Sequence, residues 1–113
     1  MIKKAVIPAA GSGTRLLPAT KETPKEMLPI FSRGVNGKLI VKPLLQAIFE
    51  QLYESGLREF CFIVGNGKGT ITDHFTYDRM LLRTLNDGGK QELAKELQDL
   101  YNRANNSSLV YIS

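Results

Sequence analysis

An α/β fold with a mostly parallel sheet flanked by helices is the class that this sequence predicts, and three observations carry it. Apolar runs rich in Val, Ile and Phe recur at Lys4 to Pro8, Arg58 to Val64 and Leu109 to Ile112. Between the first two lies a stretch at helical spacing, Leu45, Ile48, Phe49 and Leu52, which gives the crossover that parallel strands require. A cluster of small residues, Ala9-Ala10-Gly11-Ser12-Gly13, follows the first run directly, at the place where the carboxyl edge of a parallel sheet meets a ligand.

Taken in order, Lys4 to Pro8 is expected as a buried first strand. After Pro29, the segment Ile30 to Val41 carries Asn36-Gly37, the dipeptide that favours a tight hairpin between two short strands. Pro43 opens the clearest helix, and Gly56 supplies its stop. Arg58 to Val64 is the second central strand. Gly65-Asn66-Gly67-Lys68-Gly69-Thr70 is a strand-to-helix turn rather than a second phosphate site, because Phe62 stands where a Walker loop needs its first glycine and no Ser or Thr follows Lys68. His74 falls in a short helix as a surface or capping residue. Tyr77, Leu81 and Leu85, then Leu93, Leu97, Leu100 and Tyr101, give two helices broken by Asp87-Gly88-Gly89. Asp99 and Arg103 stand four apart on a solvated face, a pairing worth about 0.3 kcal/mol. Asn105 to Ser108 is a loop before the third strand.

With 113 residues, 42% hydrophobic and 23% charged, the chain has the make-up of one globular domain with a modest core. Its formal charge of +4 comes from scattered lysines and arginines, which fit phosphate handling and solvated surface. A nucleic-acid interface would need aromatics interleaved with cations on an exposed face, whereas most aromatics here sit in apolar runs. No nucleic-acid partner is expected. The single cysteine, Cys61, rules out an intrachain disulfide and a cysteine-rich zinc site, and its apolar neighbours predict a buried, inert thiol in a reducing compartment. Lys3 and Lys4 precede an apolar stretch too short for a signal peptide or a membrane span. A cytoplasmic protein without a membrane partner follows.

The chemistry concentrates between Ala5 and Phe31. Ala9, Ala10, Gly11, Ser12 and Gly13 replace bulk with nearly bare backbone, so that main-chain N–H groups can crowd around phosphate oxygens. Thr14 and Arg15 follow, then Lys21 and Lys25, with Pro18, Pro24 and Pro29 stiffening the path. Three cations on a restrained loop suit a triphosphate, and a branched side chain at Gly13 would fill phosphate space. A Walker loop fails here, since Thr14-Arg15 follows the last glycine. A dinucleotide fingerprint fails too: Leu16 replaces its third Gly or Ala, and Asn36 and Lys38 stand near its acidic position.

Gly-Ser-Gly-Thr-Arg-Leu followed by Pro-Lys-Glu-Met-Leu-Pro, residues 11–16 and 24–29, resembles the signature of the sugar-1-phosphate nucleotidylyltransferases. Pro18-Ala19-Thr20-Lys21 is most similar to the branch that acts on UTP and glucose 1-phosphate; the thymidylyltransferase branch is the near relative. The resemblance implies a Rossmann-like nucleotide-diphospho-sugar transferase fold, truncated. Residues 1–113 then form the amino-terminal nucleotide-binding part of a nucleotidyltransferase domain. It implies nucleotide binding by Ala9, Ala10, Gly11, Ser12, Gly13, Thr14, Arg15 and Lys25, with Arg15 and Lys25 also catalytic. The implied reaction turns UTP and glucose 1-phosphate into UDP-glucose and pyrophosphate. A thymidylyltransferase and a non-catalytic nucleotide-binding module are the alternatives. Magnesium is the implied cofactor, with its aspartates, the sugar contacts and a second catalytic lysine further along than Ser113, and a homo-oligomeric parent enzyme is compatible with the resemblance. The connection between the two short strands is longer than in the bacterial members, a departure beside the site. A last strand with nothing after it leaves sheet edge and apolar surface uncovered, so the chain reads as cut, and without the catalytic groups that lie further along it is expected to be incompetent alone.

Overall fold

Strand β1 (Lys4–Ala9) pairs in parallel with β4 (Glu59–Val64), and β4 pairs in parallel with β5 (Ser108–Ile112), in the computed structural model, which describes residues 4–11, 13–65 and 68–113. The strand order is β1-β4-β5. Because side chains alternate along a strand, Ile7, Ala9, Phe60, Phe62 and Val64 turn to one face and are buried. Helices α1 (Leu44–Glu54), α2 (Lys68–Phe75), α3 (Arg79–Asp87) and α4 (Gln91–Asn105) contribute Leu45, Phe49, Ile71, Phe75, Leu82, Ala94, Leu100 and Tyr101 to the same core. Phe62 lies between two rings, Phe75 at 5.3 Å and Tyr111 at 5.5 Å. That burial pushes the Tyr111 hydroxyl up to about 12.

The other face of the sheet is open, and this corrects the expectation of a fully buried first strand: Val6 is 64% exposed, and Ile63, Val110 and Ile112 share its side. Cys61, across from Val6 on that face, is half-buried rather than buried.

The hairpin forms as β2 (Pro29–Arg33) and β3 (Leu39–Pro43), antiparallel with Phe31 opposite Val41. Its turn is wider than the two-residue Asn-Gly turn expected. The Gly37 N–H donates to the Gly34 carbonyl at 3.0 Å, and the Gly34 N–H to the Lys38 carbonyl at 2.8 Å. Gly37 alone takes a positive φ, 81°, so this is a four-residue turn closed by a left-handed glycine. The Asn36 side chain instead accepts from the Lys38 N–H.

Pro43 caps α1 from the end of β3 rather than lying inside it. At the far end Gly56 has φ 103°, while the Gly56 N–H donates to Tyr53 and the Leu57 N–H to Leu52. These paired bonds satisfy carbonyls that a helix end leaves free. In α3 the register differs from expectation: Tyr77 lies before the helix and is exposed, Asp78 caps Leu81 N–H, and Leu82 rather than Leu81 is buried. Leu93 is likewise exposed, with Ala94 taking the core position. Arg103 bonds Asp99 at 3.0 Å and also lies over the Tyr53 ring at 5.3 Å. The pair therefore joins α4 to α1 and is not simply a solvated face.

Phe49 is fully buried and meets Phe60, Phe75 and Tyr53 at centroid distances of 4.8, 5.4 and 6.0 Å. Phe49→Ala is expected to cost about 3–5 kcal/mol, and Phe31→Ala, at a site 76% exposed, under about 0.5 kcal/mol. Urea unfolding of both variants measures the difference, and equal losses would contradict this packing.

Candidate active site

The parallel strands β1 and β4 end side by side, and the small residues exploit that edge. Ala9 closes β1 with 3% exposure. Past it, Ala10 lies so close to Gly65, just beyond β4, that a Cβ on Gly65 would meet the Ala10 carbonyl oxygen at 3.4 Å. Gly13 then turns the chain with φ 67° into a short 3-10 turn, Thr14–Leu16. The Gly13 carbonyl accepts from the Leu16 N–H at 3.0 Å and from the Thr20 hydroxyl at 2.6 Å. Thr20 is buried, so the returning strand of the loop is tied to its start.

A second 3-10 turn, Lys25–Met27, begins after Pro24. Met27 is buried, and the Leu28 carbonyl accepts the Leu44 N–H at 2.9 Å, one of the donors that the start of α1 would otherwise leave without a partner. This seat directs Lys25 back over the first turn. Its Nζ lies 3.4 Å, and its Cε 3.5 Å, from where a Cβ on Gly11 would stand. Gly11 and Lys25, fourteen positions apart in the sequence, are thus brought together, with the ammonium at van der Waals distance from where a Gly11 side chain would begin.

Thr14 and Arg15 stand exposed in the first 3-10 turn. Ser12, also expected in the cradle, lies outside the described residues. The Lys21 Nζ pairs with the neighbouring Glu22 at 3.2 Å, both side chains highly exposed. A side chain at Gly13 would strain a left-handed backbone and meet the Thr20 Cβ and Cγ2 at 3.1 Å, so the turn itself already carries a penalty. Two site-lining residues escaped the sequence reading, Thr20 and Glu26. Glu26 is buried beside Lys25, with Oε2 3.9 Å from Nζ; the only sequence signal was its place inside the Pro-Lys-Glu-Met motif.

A largely buried polar chain joins β3, α1 and α2. Lys42 donates to Glu50, both nearly inaccessible; Gln46 donates to the other Glu50 oxygen at 3.1 Å, and its own carbonyl oxygen lies 2.7 Å from His74 Nε2. Since Gln46 uses its amide N–H toward Glu50, His74 Nε2 must be the donor. His74 is therefore a half-buried tie between α2 and α1 rather than the surface or capping residue expected. Burial holds it below the ordinary value of 6.5, against the smaller upward pull of Glu50.

Residues 4–99 match the family described as nucleotidyl transferase, and the chain belongs to that family. Within it, the chain is 44% identical over 103 residues to UTP–glucose-1-phosphate uridylyltransferase of Bacillus subtilis (strain 168), covering 91% of this chain and 32% of that protein. The namesake of Mycoplasma pneumoniae is 48% identical over 103 residues, with the same coverage. Among solved structures, a UDP-glucose pyrophosphorylase complexed with UDP-glucose superimposes with a TM-score of 0.72 and 35% identity, over 99% of this chain and 35% of that one. The chain spans about a third of the length of these relatives.

Two expectations test this local structure. Gly13→Ala should cost about 1 kcal/mol or more from its positive φ and the Thr20 contact, and Gly11→Ala under about 0.5 kcal/mol; thermal melts of both variants check the order. For His74 the folded state binds its proton less readily than the unfolded chain, so its contribution is complete above the unfolded value near 6.5 and is lost as pH falls through the lower folded value. The slope is at most about 1.4 kcal/mol per pH unit. Urea midpoints between pH 7.5 and 5 should fall in the wild type and fall less in His74→Gln.

Proposed function

We propose that this chain is the triphosphate-binding part of a UTP:glucose-1-phosphate uridylyltransferase, and that residues 1–113 form the amino-terminal nucleotide-binding portion of its domain. The observation that carries the reading is the Lys25 ammonium set over the side-chain-free Gly11 at the carboxyl edge of a parallel sheet. Ala9, Ala10, Gly11, Ser12, Gly13 and Thr14 supply the backbone cradle, and Arg15 and Lys25 the charge. The names of the relatives support UTP and glucose 1-phosphate as substrates.

In the reaction so proposed, an oxygen of the sugar phosphate attacks the α-phosphorus of UTP. The bond from that phosphorus to the β-phosphate oxygen breaks, and pyrophosphate leaves with the electron pair. Negative charge gathers on the leaving group and on the α-phosphate, and preorganised cations stabilise it. Lys25 and Arg15 do so here while the rigid turns hold the chain in place.

Magnesium, implied by the family resemblance, finds no matching set: among the described residues no group of three or more His, Cys, Asp or Glu could hold a metal ion. Among the described residues no helix is long and apolar enough to cross a membrane, and with the lone Cys61 this supports a cytoplasmic setting.

Calorimetry with UTP, dTTP and ATP tests the binding. The chain should bind all three weakly, with little discrimination and strong dependence on salt. Lys25→Ala should lose about tenfold or more in affinity, while Lys95→Ala, on the exposed side of α4, should not change it. Equal effects would overturn the cradle. A pyrophosphate-release assay with UTP, magnesium and glucose 1-phosphate should show no turnover by this chain alone; sustained release dependent on the sugar phosphate would place the whole site within these residues.

A further inference from the structure

Glu26 is 7% exposed, yet among the described residues its one charged partner is Lys25, at 3.9 Å from Oε2, and Oε1 has no hydrogen-bond partner. Such burial is costly for a carboxylate. A glutamine would fill the same space without that cost, so packing alone does not explain the acid. Nor does helix-like geometry, in which consecutive side chains diverge; here Lys25 and Glu26 converge. What the carboxylate adds is a fixed negative charge on the buried side of the ammonium. The lysine side chain, 47% exposed, keeps its other side toward Gly11 and solvent.

We propose that Glu26 is a positioning residue: it holds the Lys25 ammonium over the glycine turn before a polyphosphate arrives, an inference that rests on the cradle reading above. A long lysine free in solvent samples many rotamers, and binding must then order it; a counter-charge anchored in the core removes part of that cost in advance. Two opposing effects follow from neutralising Glu26. Loss of a negative charge near the phosphates favours binding, and loss of the held geometry disfavours it. Loss of geometry dominates if Glu26 positions Lys25, so the sign of the change is diagnostic.

The test is a double-mutant cycle read by calorimetry with inorganic tripolyphosphate, using wild type, Glu26→Gln, Lys25→Ala and the double variant, with thermal melts alongside. Glu26→Gln should weaken binding roughly three- to tenfold without lowering the melting temperature, and should have no effect once Lys25 is alanine. Tighter or unchanged binding by Glu26→Gln would overturn the proposal, as would an equal loss in the Lys25→Ala background. Glu26→Asp, which keeps the charge but draws it back by one methylene, covers the case in which the glutamine variant fails to fold: a partial loss supports the proposal, and an unchanged affinity overturns it. Equal binding by wild type and Lys25→Ala would refute the cradle itself, and the inference with it.

Discussion

The parallel register of β1 on β4, which sets Ala9 opposite Val64, governs both the core and the site. Because side chains alternate, a slip of one residue would carry Ile7 and Ala9 to the open face and bring Val6 and Pro8 against the helices. The same register ends both strands at one level. Ala10 therefore lies where a side chain on Gly65 would touch it, and the glycine turn emerges at the edge where strand ends, small residues and exposed cations coincide. Packing and chemistry share a single constraint: the apolar residues that anchor the sheet also set the height at which the backbone turns.

From that edge the loop is held by few but well-placed bonds. The Gly13 carbonyl takes two donors, one local and one from Thr20, so the turn resists unwinding from either side. Farther along, Leu28 gives its carbonyl to the first N–H of α1, while Met27 is buried in the core. The second turn thus hangs from the helix whose Leu45 and Phe49 are fully buried. A lysine on such a turn is aimed by the core, which is how a mobile side chain comes to lie over one particular glycine.

Elements that obey one dominant rule were legible in the sequence. The strands at Arg58 to Val64 and Leu109 to Ile112, α1 with its Gly56 stop, and the crossover that makes β1 and β4 parallel all formed as read. What was lost depended on tertiary partners. Leu81 and Leu82 are equally apolar, and only the Asp78 cap and the packing against α4 decide that Leu82 faces inward. Asn36-Gly37 announces a turn but not its width, which the pairing of Gly34 with Lys38 sets. His74 looked like a surface residue because its partner, Gln46, comes from a helix 28 positions earlier. In the candidate site, the motif's spacing could not say that Lys25 reaches Gly11 while Lys21 pairs with Glu22, or that Thr20 and Glu26 are buried.

Two lysine–glutamate pairs in this chain separate structure from chemistry by how their ends are satisfied. Lys42 and Glu50 are both nearly inaccessible, and each Glu50 oxygen has a donor, one from Lys42 and one from Gln46. Removing either partner would strand a buried charge, and both groups lie away from solvent. Lys25 and Glu26 reverse the arrangement: the carboxylate is buried with one oxygen unbonded, and the ammonium is half exposed at a separation too long for a tight hydrogen bond. A pair closed on itself ties strand β3 to helix α1. A pair anchored at its acid and open at its base keeps a cation in readiness, because an incoming phosphate can bond the ammonium without first breaking a strong contact.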